Sequence, residues 1–285
     1  MKIKLNKKVS YLNFGYIPTG NLFTDLSGKL FGTPNLVKRL QARDIMNTLD
    51  LKSHNTVLDF GCGVGYVTVE MAKIAEKAFG IDTNEYIGTI PIPIELSDRL
   101  QYIIASGENL PFEDSIFDVI LASEVLPMIS EPLHFLKEIS RVLKPGGRLI
   151  IVNGSGHPSI KEAYKSKPWY FKLLNRLYNY RMPESYEKYC QILQKSFDTA
   201  QKSFFQEEDI SLLLNQVGFL VESFDYSPGY VAGSYFSWSQ FILYLRTGKT
   251  LSQHSFVLKY YLLSFIRLFE RKKHKGGIIC KATKQ

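Results

Sequence analysis

The stretch Val57-Leu58-Asp59-Phe60-Gly61-Cys62-Gly63-Val64-Gly65-Tyr66 has the residue types and spacing to hold a nucleoside. An apolar run enters three glycines at alternate positions, and a helical segment follows. Glycine reaches positive φ without steric cost and lets backbone approach a ligand closely. Such a turn also occurs for structural reasons alone. Asp82 adds to it, because it ends the next apolar run, 21 residues after Gly61. A carboxylate about 20 residues beyond a glycine turn accepts hydrogen bonds from ribose hydroxyls. The competing reading is an aspartate that caps its own turn.

These residues need a scaffold, and the apolar runs supply one. Short apolar runs bounded by turn residues read as buried strands. They fall at 56–60, 78–82, 101–105, 117–122 and 148–152. Helices are predicted over 66–76 and 132–143, the second with Leu136, Ile139 and Leu143 on one face. Lys144-Pro145-Gly146-Gly147 stops that helix. A further helix is predicted at 206–216, with Gly218 as its cap, then strands at 219–226 and 277–283. Strands alternating with helices imply an α/β fold: a seven-stranded, mostly parallel, doubly wound, Rossmann-like sheet. Helical insertions are expected after strand five and between strands six and seven. The expected organisation is an N-terminal segment (1–33), a core (34–153), a helical cap (154–205) and a core helix and strand (206–226). A basic aromatic insertion (227–276) and a last strand (277–285) complete it. Ligands in such sheets bind at the carboxyl ends of the strands.

The chain has 285 residues, 45% of them apolar and 22% charged, which excludes global disorder. Three dispersed cysteines exclude a disulfide scaffold. No signal-peptide-like stretch follows the basic N-terminus, and no run of about 18 uncharged apolar residues occurs. The expectation is a cytoplasmic protein, with peripheral membrane contact as an open alternative.

The order of these motifs resembles the class I S-adenosylmethionine-dependent methyltransferase family. The resemblance is carried by Asp59, Gly61, Gly63 and Gly65, by Asp82, by Glu108-Asn109-Leu110-Pro111-Phe112-Glu113-Asp114 running into Phe117-Asp118, and by Arg141 to Gly147. It implies S-adenosyl-L-methionine as cofactor and S-adenosyl-L-homocysteine as product. It further implies that Gly61, Cys62 and Gly63 lie along the cofactor's amino-acid portion with Asp59 nearby. Asp82 then takes the ribose hydroxyls, with Thr83 beside it. Ser106, Gly107 and Glu108 border the adenine. The family usually has an acid at Ser106, so the serine, the Gly107 backbone and Glu108 are alternatives for that contact. Ser123 and Glu124 border the methionine end and the acceptor. The segment Tyr11 to Tyr16 is similar to one that folds over the cofactor in many small-molecule methyltransferases; terminal packing is the other reading.

Methyl transfer from a sulfonium depends mainly on positioning, and a base helps only with acceptors of high pKa. The candidate bases are His157, in the loop after strand five, and Glu124. His134 reads as a packing residue. The chain has no C-x-x-C or H-E-x-x-H, so no metal site is expected.

Net charge is +8, yet residues 241–285 alone carry +9 and the other 240 sum to −1. Three readings fit this aromatic, basic segment: a core or pocket helix, an amphipathic helix at an anionic membrane, or an RNA surface. The expected acceptor is an apolar small molecule or lipid-like compound, O- or C-methylated. RNA or protein methylation is the alternative, although nucleic acid is the less favoured partner. A non-catalytic cofactor-binding partner or regulator is the third reading. Oligomeric state is not legible.

Overall fold

The computed structural model describes residues 36–85, 87, 92–153, 205–227 and 277–285. The segment 11–16, His157, most of both insertions and the aromatic basic stretch up to Lys275 lie outside the described residues. Helix α1 (Leu36–Leu49) leads into β1 (Thr56–Phe60), α2 (Tyr66–Ala72), β2 (Lys77–Asp82) and β3 (Leu100–Ile104). Then come β4 (Phe117–Ser123), α3 (Pro132–Val142), β5 (Leu143–Asn153), α4 (Glu207–Gln216), β6 (Phe219–Ser227) and β7 (Gly277–Lys284).

The strands form one sheet in the order β3-β2-β1-β4-β5-β7-β6. The five from β3 to β5 are parallel, and β7 runs antiparallel between β5 and β6. Strand order reverses between β1 and β4. The carboxyl ends of β1 to β6 therefore share one edge with the start of β7.

Successive strand residues point to opposite faces, and both faces are covered. Val57, Val119, Ile150 and Val152 pack on Ile45, Met46 and Leu49 of α1 and Val69 and Met71 of α2. Leu58, Ile120, Leu149 and Ile151 pack on Phe135, Leu136 and Ile139 of α3 and Ile210 and Leu214 of α4. Burial on both faces explains why the strands read as continuous apolar runs rather than alternating ones.

The helix expected over 66–76 ends at Ala72. The Asn55 carbonyl accepts the N–H groups of both Glu76 and Lys77, which draws the chain off the helix and into β2. The helix after β4 stops at Val142 as the Pro-Gly-Gly signal requires, but β5 begins at Leu143 rather than Arg148. Leu143 pairs with Phe117 before an irregularity restores the pairing at Val119 and Arg148. Gln206 and Asp209 form a reciprocal capping box at the start of α4, and Gly218 follows its last turn at φ +81°.

Candidate functional site

The glycine turn folds back onto the end of β2. The N–H groups of Gly61 and Cys62 donate to the Ile81 carbonyl at 2.7 and 2.9 Å. Gly63 N–H donates to Asp82 Oδ2 at 2.8 Å, and Asn84 N–H to Asp82 Oδ1 at 2.9 Å. Asp82 thus both caps its own turn and holds the glycine turn. Each carboxylate oxygen retains acceptor capacity for a further hydrogen bond.

Gly61, Gly63 and Gly65 have φ of +70°, +53° and +94°. A Cβ on Gly61 would lie 2.1 Å from Val125 Cγ2, and one on Gly65 2.1 Å from the Tyr102 hydroxyl. A Cβ on Gly63 would meet nothing within 4 Å. The first and third glycines are therefore required by packing as well as by φ. The middle one borders open space.

Asp59 lies under this turn, 2% exposed, and Thr68 Oγ1 donates to its Oδ2 at 2.6 Å. Burial, reinforced by the nearby Asp82 carboxylate, pushes its pKa up to about 7 despite the Thr68 hydrogen bond. In the unfolded chain the group titrates near 3.8. The folded state therefore holds the extra proton, and the stability this group contributes is full below about pH 4 and lost as pH rises through about 7. Relative to Asp59→Asn, the ligand-free protein is expected to lose roughly 3 kcal/mol between pH 5 and pH 8. Urea unfolding of both proteins across that window measures it, and a constant difference would refute the buried titration. Burial first, then Asp59 and Asp82, also raises the Cys62 thiol above its usual range. Cys62 is therefore a neutral thiol at physiological pH and contributes backbone rather than a thiolate.

After β3, Ser106 and Glu108 are exposed, whereas Gly107 is buried. A Cβ on Gly107 would lie 2.6 Å from the Phe60 ring and 3.0 Å from that of Phe135. Helix α3 pins this loop through one stripe of side chains at i, i+4 and i+7. His134 Nε2 donates to the Glu108 carbonyl at 2.8 Å, and Glu138 Oε2 accepts the Leu110 N–H at 3.0 Å. Arg141 donates to the carbonyls of Phe112 and Leu110 and pairs with Asp114 and Glu138. His134 is exposed and holds the loop, so it is not the packing residue expected from sequence. The roles of Glu138 and Arg141 were not anticipated either, although their spacing with His134 on one helix face was visible.

On the other side of β1, Ser123 is half-buried at the end of β4. Glu124 follows in the left-handed region at φ +60°, which is uncommon without glycine and concentrates at functional sites. Its N–H donates to the Val152 carbonyl at 2.7 Å, and its carboxylate accepts Gln41 Nε2 at 3.1 Å. Thr83 is exposed just beyond β2. Thus Asp59, the glycine turn, Asp82, the Ser106–Glu108 loop and Ser123–Glu124 share one edge of the sheet. Among the described residues, no cluster of three or more His, Cys, Asp or Glu could hold a metal ion, and no helix could cross a membrane.

This sheet order, the glycine turn clamped by the acid after β2, and the buried acid beneath it are the arrangement that the resemblance to class I S-adenosylmethionine-dependent methyltransferases implies. Residues 58–151 match the family model described as a methyltransferase domain. The demethylmenaquinone methyltransferase of Staphylococcus saprophyticus is 28% identical over 215 residues, covering 70% of this chain and 86% of that protein. The sterol 4-C-methyltransferase strm-1 of Caenorhabditis elegans is 36% identical over 115 residues, 38% of this chain and 33% of that protein. A crystal structure of a putative methyltransferase from Bacillus halodurans shares the fold at a TM-score of 0.52 and 19% identity, covering 85% of this chain and 98% of that one. The [4+2]-cyclase SpnF shares it at 0.54 and 19%, covering 86% of this chain and 80% of that one. A cyclase on the same scaffold shows that the fold alone does not select the reaction.

Proposed function

We propose that this enzyme methylates an oxygen or carbon atom of an apolar small-molecule or lipid-like acceptor, with S-adenosyl-L-methionine as donor. The similarity to the demethylmenaquinone methyltransferase carries this reading, because it spans 215 residues whereas the domain match spans only 58–151. The residues present fit the cofactor: Gly63 borders open space, Asp82 has acceptor capacity to spare, and Asp59 offers a buried carboxylate to an ammonium group. The bound cofactor supplies a methyl group already activated on a sulfonium.

In this reading the Gly61, Cys62 and Gly63 backbone lies along the methionine portion, opposite Asp59. Asp82 and Thr83 hold the ribose. Ser106, Gly107 and Glu108 flank the adenine, kept in place by the α3 stripe. Ser123 and Glu124 face the acceptor, and Glu124 or His157 removes a proton where the acceptor requires it. The segments 154–205 and 227–276 cap the strand edge, and the basic tail brings the enzyme to an anionic membrane that stores the acceptor.

The test uses purified protein, radiolabelled S-adenosylmethionine and extract of its own host. Label partitioning into organic solvent is the expected result. Label in nuclease- or protease-sensitive precipitate would overturn the acceptor class in favour of RNA or protein, and label in neither phase would favour the non-catalytic reading. Affinity for S-adenosylhomocysteine is expected to rise with pH and level off above about 7, as Asp59 ionises. Calorimetric titration of Asp59→Asn should lose that slope, and a slope retained in the variant would remove Asp59 from the ammonium contact.

A further inference from the structure

Asn153 is the last residue of β5, at the ligand-binding edge of the sheet. It is 1% exposed, and among the described residues neither Nδ2 nor Oδ1 has a hydrogen-bond partner. Arg43 Nε and Glu70 Oε2 are also buried without a partner, but both side chains belong to ion pairs, with Asp44 and Lys73. Asn153 is, among the described residues, the side chain in which both polar ends stand unpaired. Buried carboxamides are nearly always satisfied, and a sheet terminus gives no reason to keep a polar group where leucine or isoleucine would pack.

The surroundings indicate what the amide meets. Leu149 and Ile151 face α3 and α4, whereas Ile150 and Val152 face α1 and α2. Alternation puts Asn153 on the α3 side, next to Ile278, its partner on β7, and then Tyr226, paired with Ile278 on β6. On the other flank, Glu124 is tied to β5 through Val152, and Val125 touches the position of Gly61. Asn153 therefore stands two strands from β1 and its glycine turn, with β4 between them, on the α3 face of the sheet among apolar and aromatic neighbours.

We propose that the Asn153 carboxamide binds an oxygen function of the methyl acceptor, a hydroxyl or carbonyl next to the atom that receives the methyl group. This rests on the acceptor reading above. Nδ2 donates to that oxygen, and Oδ1 accepts its proton when it is a hydroxyl. Asn153 is thus a specificity-determining residue. A site built around a buried polar group strongly rejects an acceptor lacking the matching oxygen, because the amide would stay unpaired.

The experiment compares wild type with Asn153→Leu, an apolar side chain of similar volume, and with Asn153→Ala. Three quantities are read: the thermal midpoint without ligand, S-adenosylhomocysteine affinity, and label transferred into the organic phase of host extract. The expected result is a midpoint unchanged or raised in Asn153→Leu, cofactor affinity within twofold of wild type, and organic-phase label reduced at least tenfold in both variants. Wild-type labelling by either variant would overturn the proposal. So would a large fall in the Asn153→Leu midpoint, or failure of both variants to fold, since each would mean that the amide serves the folded chain. Absence of organic-phase label with wild type itself would sink the acceptor reading instead, and is distinguished by that arm alone.

Discussion

Asp82→Ala is expected to weaken S-adenosylhomocysteine binding about a hundredfold, roughly 3 kcal/mol. Hydrogen bonds to a charged partner contribute about 1.5–3 kcal/mol each, and in the proposed reading two ribose hydroxyls lose theirs together. The substitution also frees the N–H groups of Gly63 and Asn84, which the carboxylate holds at 2.8 and 2.9 Å. The turn then loses its clamp to β2 except through the Ile81 carbonyl. Asp82→Asn keeps one acceptor oxygen but not the charge, so its loss should be intermediate. Calorimetric titration of all three proteins, with circular dichroism to confirm folding, is the check. Wild-type affinity in folded Asp82→Ala would remove Asp82 from the ribose and leave it as a turn residue alone.

Gly61→Ala is expected to destabilise the protein by about 3 kcal/mol, in two separable parts. A non-glycine residue held in the left-handed region costs about 1–2 kcal/mol. The new methyl would also lie 2.1 Å from Val125 Cγ2, and overpacking of this kind costs about 1–3 kcal/mol. Val125→Ala removes the obstructing methyl groups, so the double variant should recover the steric part and keep the backbone part. A double-mutant cycle on urea unfolding measures the coupling. A coupling near zero would mean that Val125 moves aside freely and that Gly61 is required for φ only. Gly63→Ala provides the contrast: its φ is also positive at +53°, but its Cβ meets nothing, so only the backbone cost applies to the free protein. In the proposed reading its larger effect falls on cofactor affinity, because the methyl would enter the space assigned to the ligand.

What the sequence determined by itself was local. The run TVLDF became β1 with the bounds expected, and the glycine turn opened a helix at Tyr66 as expected. Strand cores buried on both faces are uniformly apolar, and turns need glycine where φ is positive; both facts are written residue by residue. The capping of α4 and the proline-glycine stop after α3 are equally short-range. Asp59, the glycines and Asp82 were legible as one constellation for the same reason, since a βαβ unit brings them together at nearly fixed spacing.

Tertiary structure decided the features that depend on distant partners. Helix α2 ends early because Asn55, far back along the chain, captures the N–H groups that lead into β2. The direction of β7 depends on pairing with both β5 and β6, and a fifty-residue connection carries no directional signal. His134 leaves the packed face of α3 because the Glu108 carbonyl is 26 residues away in sequence and within hydrogen-bond reach in space. Glu124 takes a left-handed backbone because β4 must end against Val152 while its carboxylate meets Gln41 of α1. Asn153 is the clearest case. Its residue type is ordinary at a strand end, and only the burial of an amide that is unpaired among the described residues marks it as the proposed acceptor contact. Local preference is set by a residue and its immediate neighbours, whereas desolvation and hydrogen-bond satisfaction are set by whatever the fold brings against it.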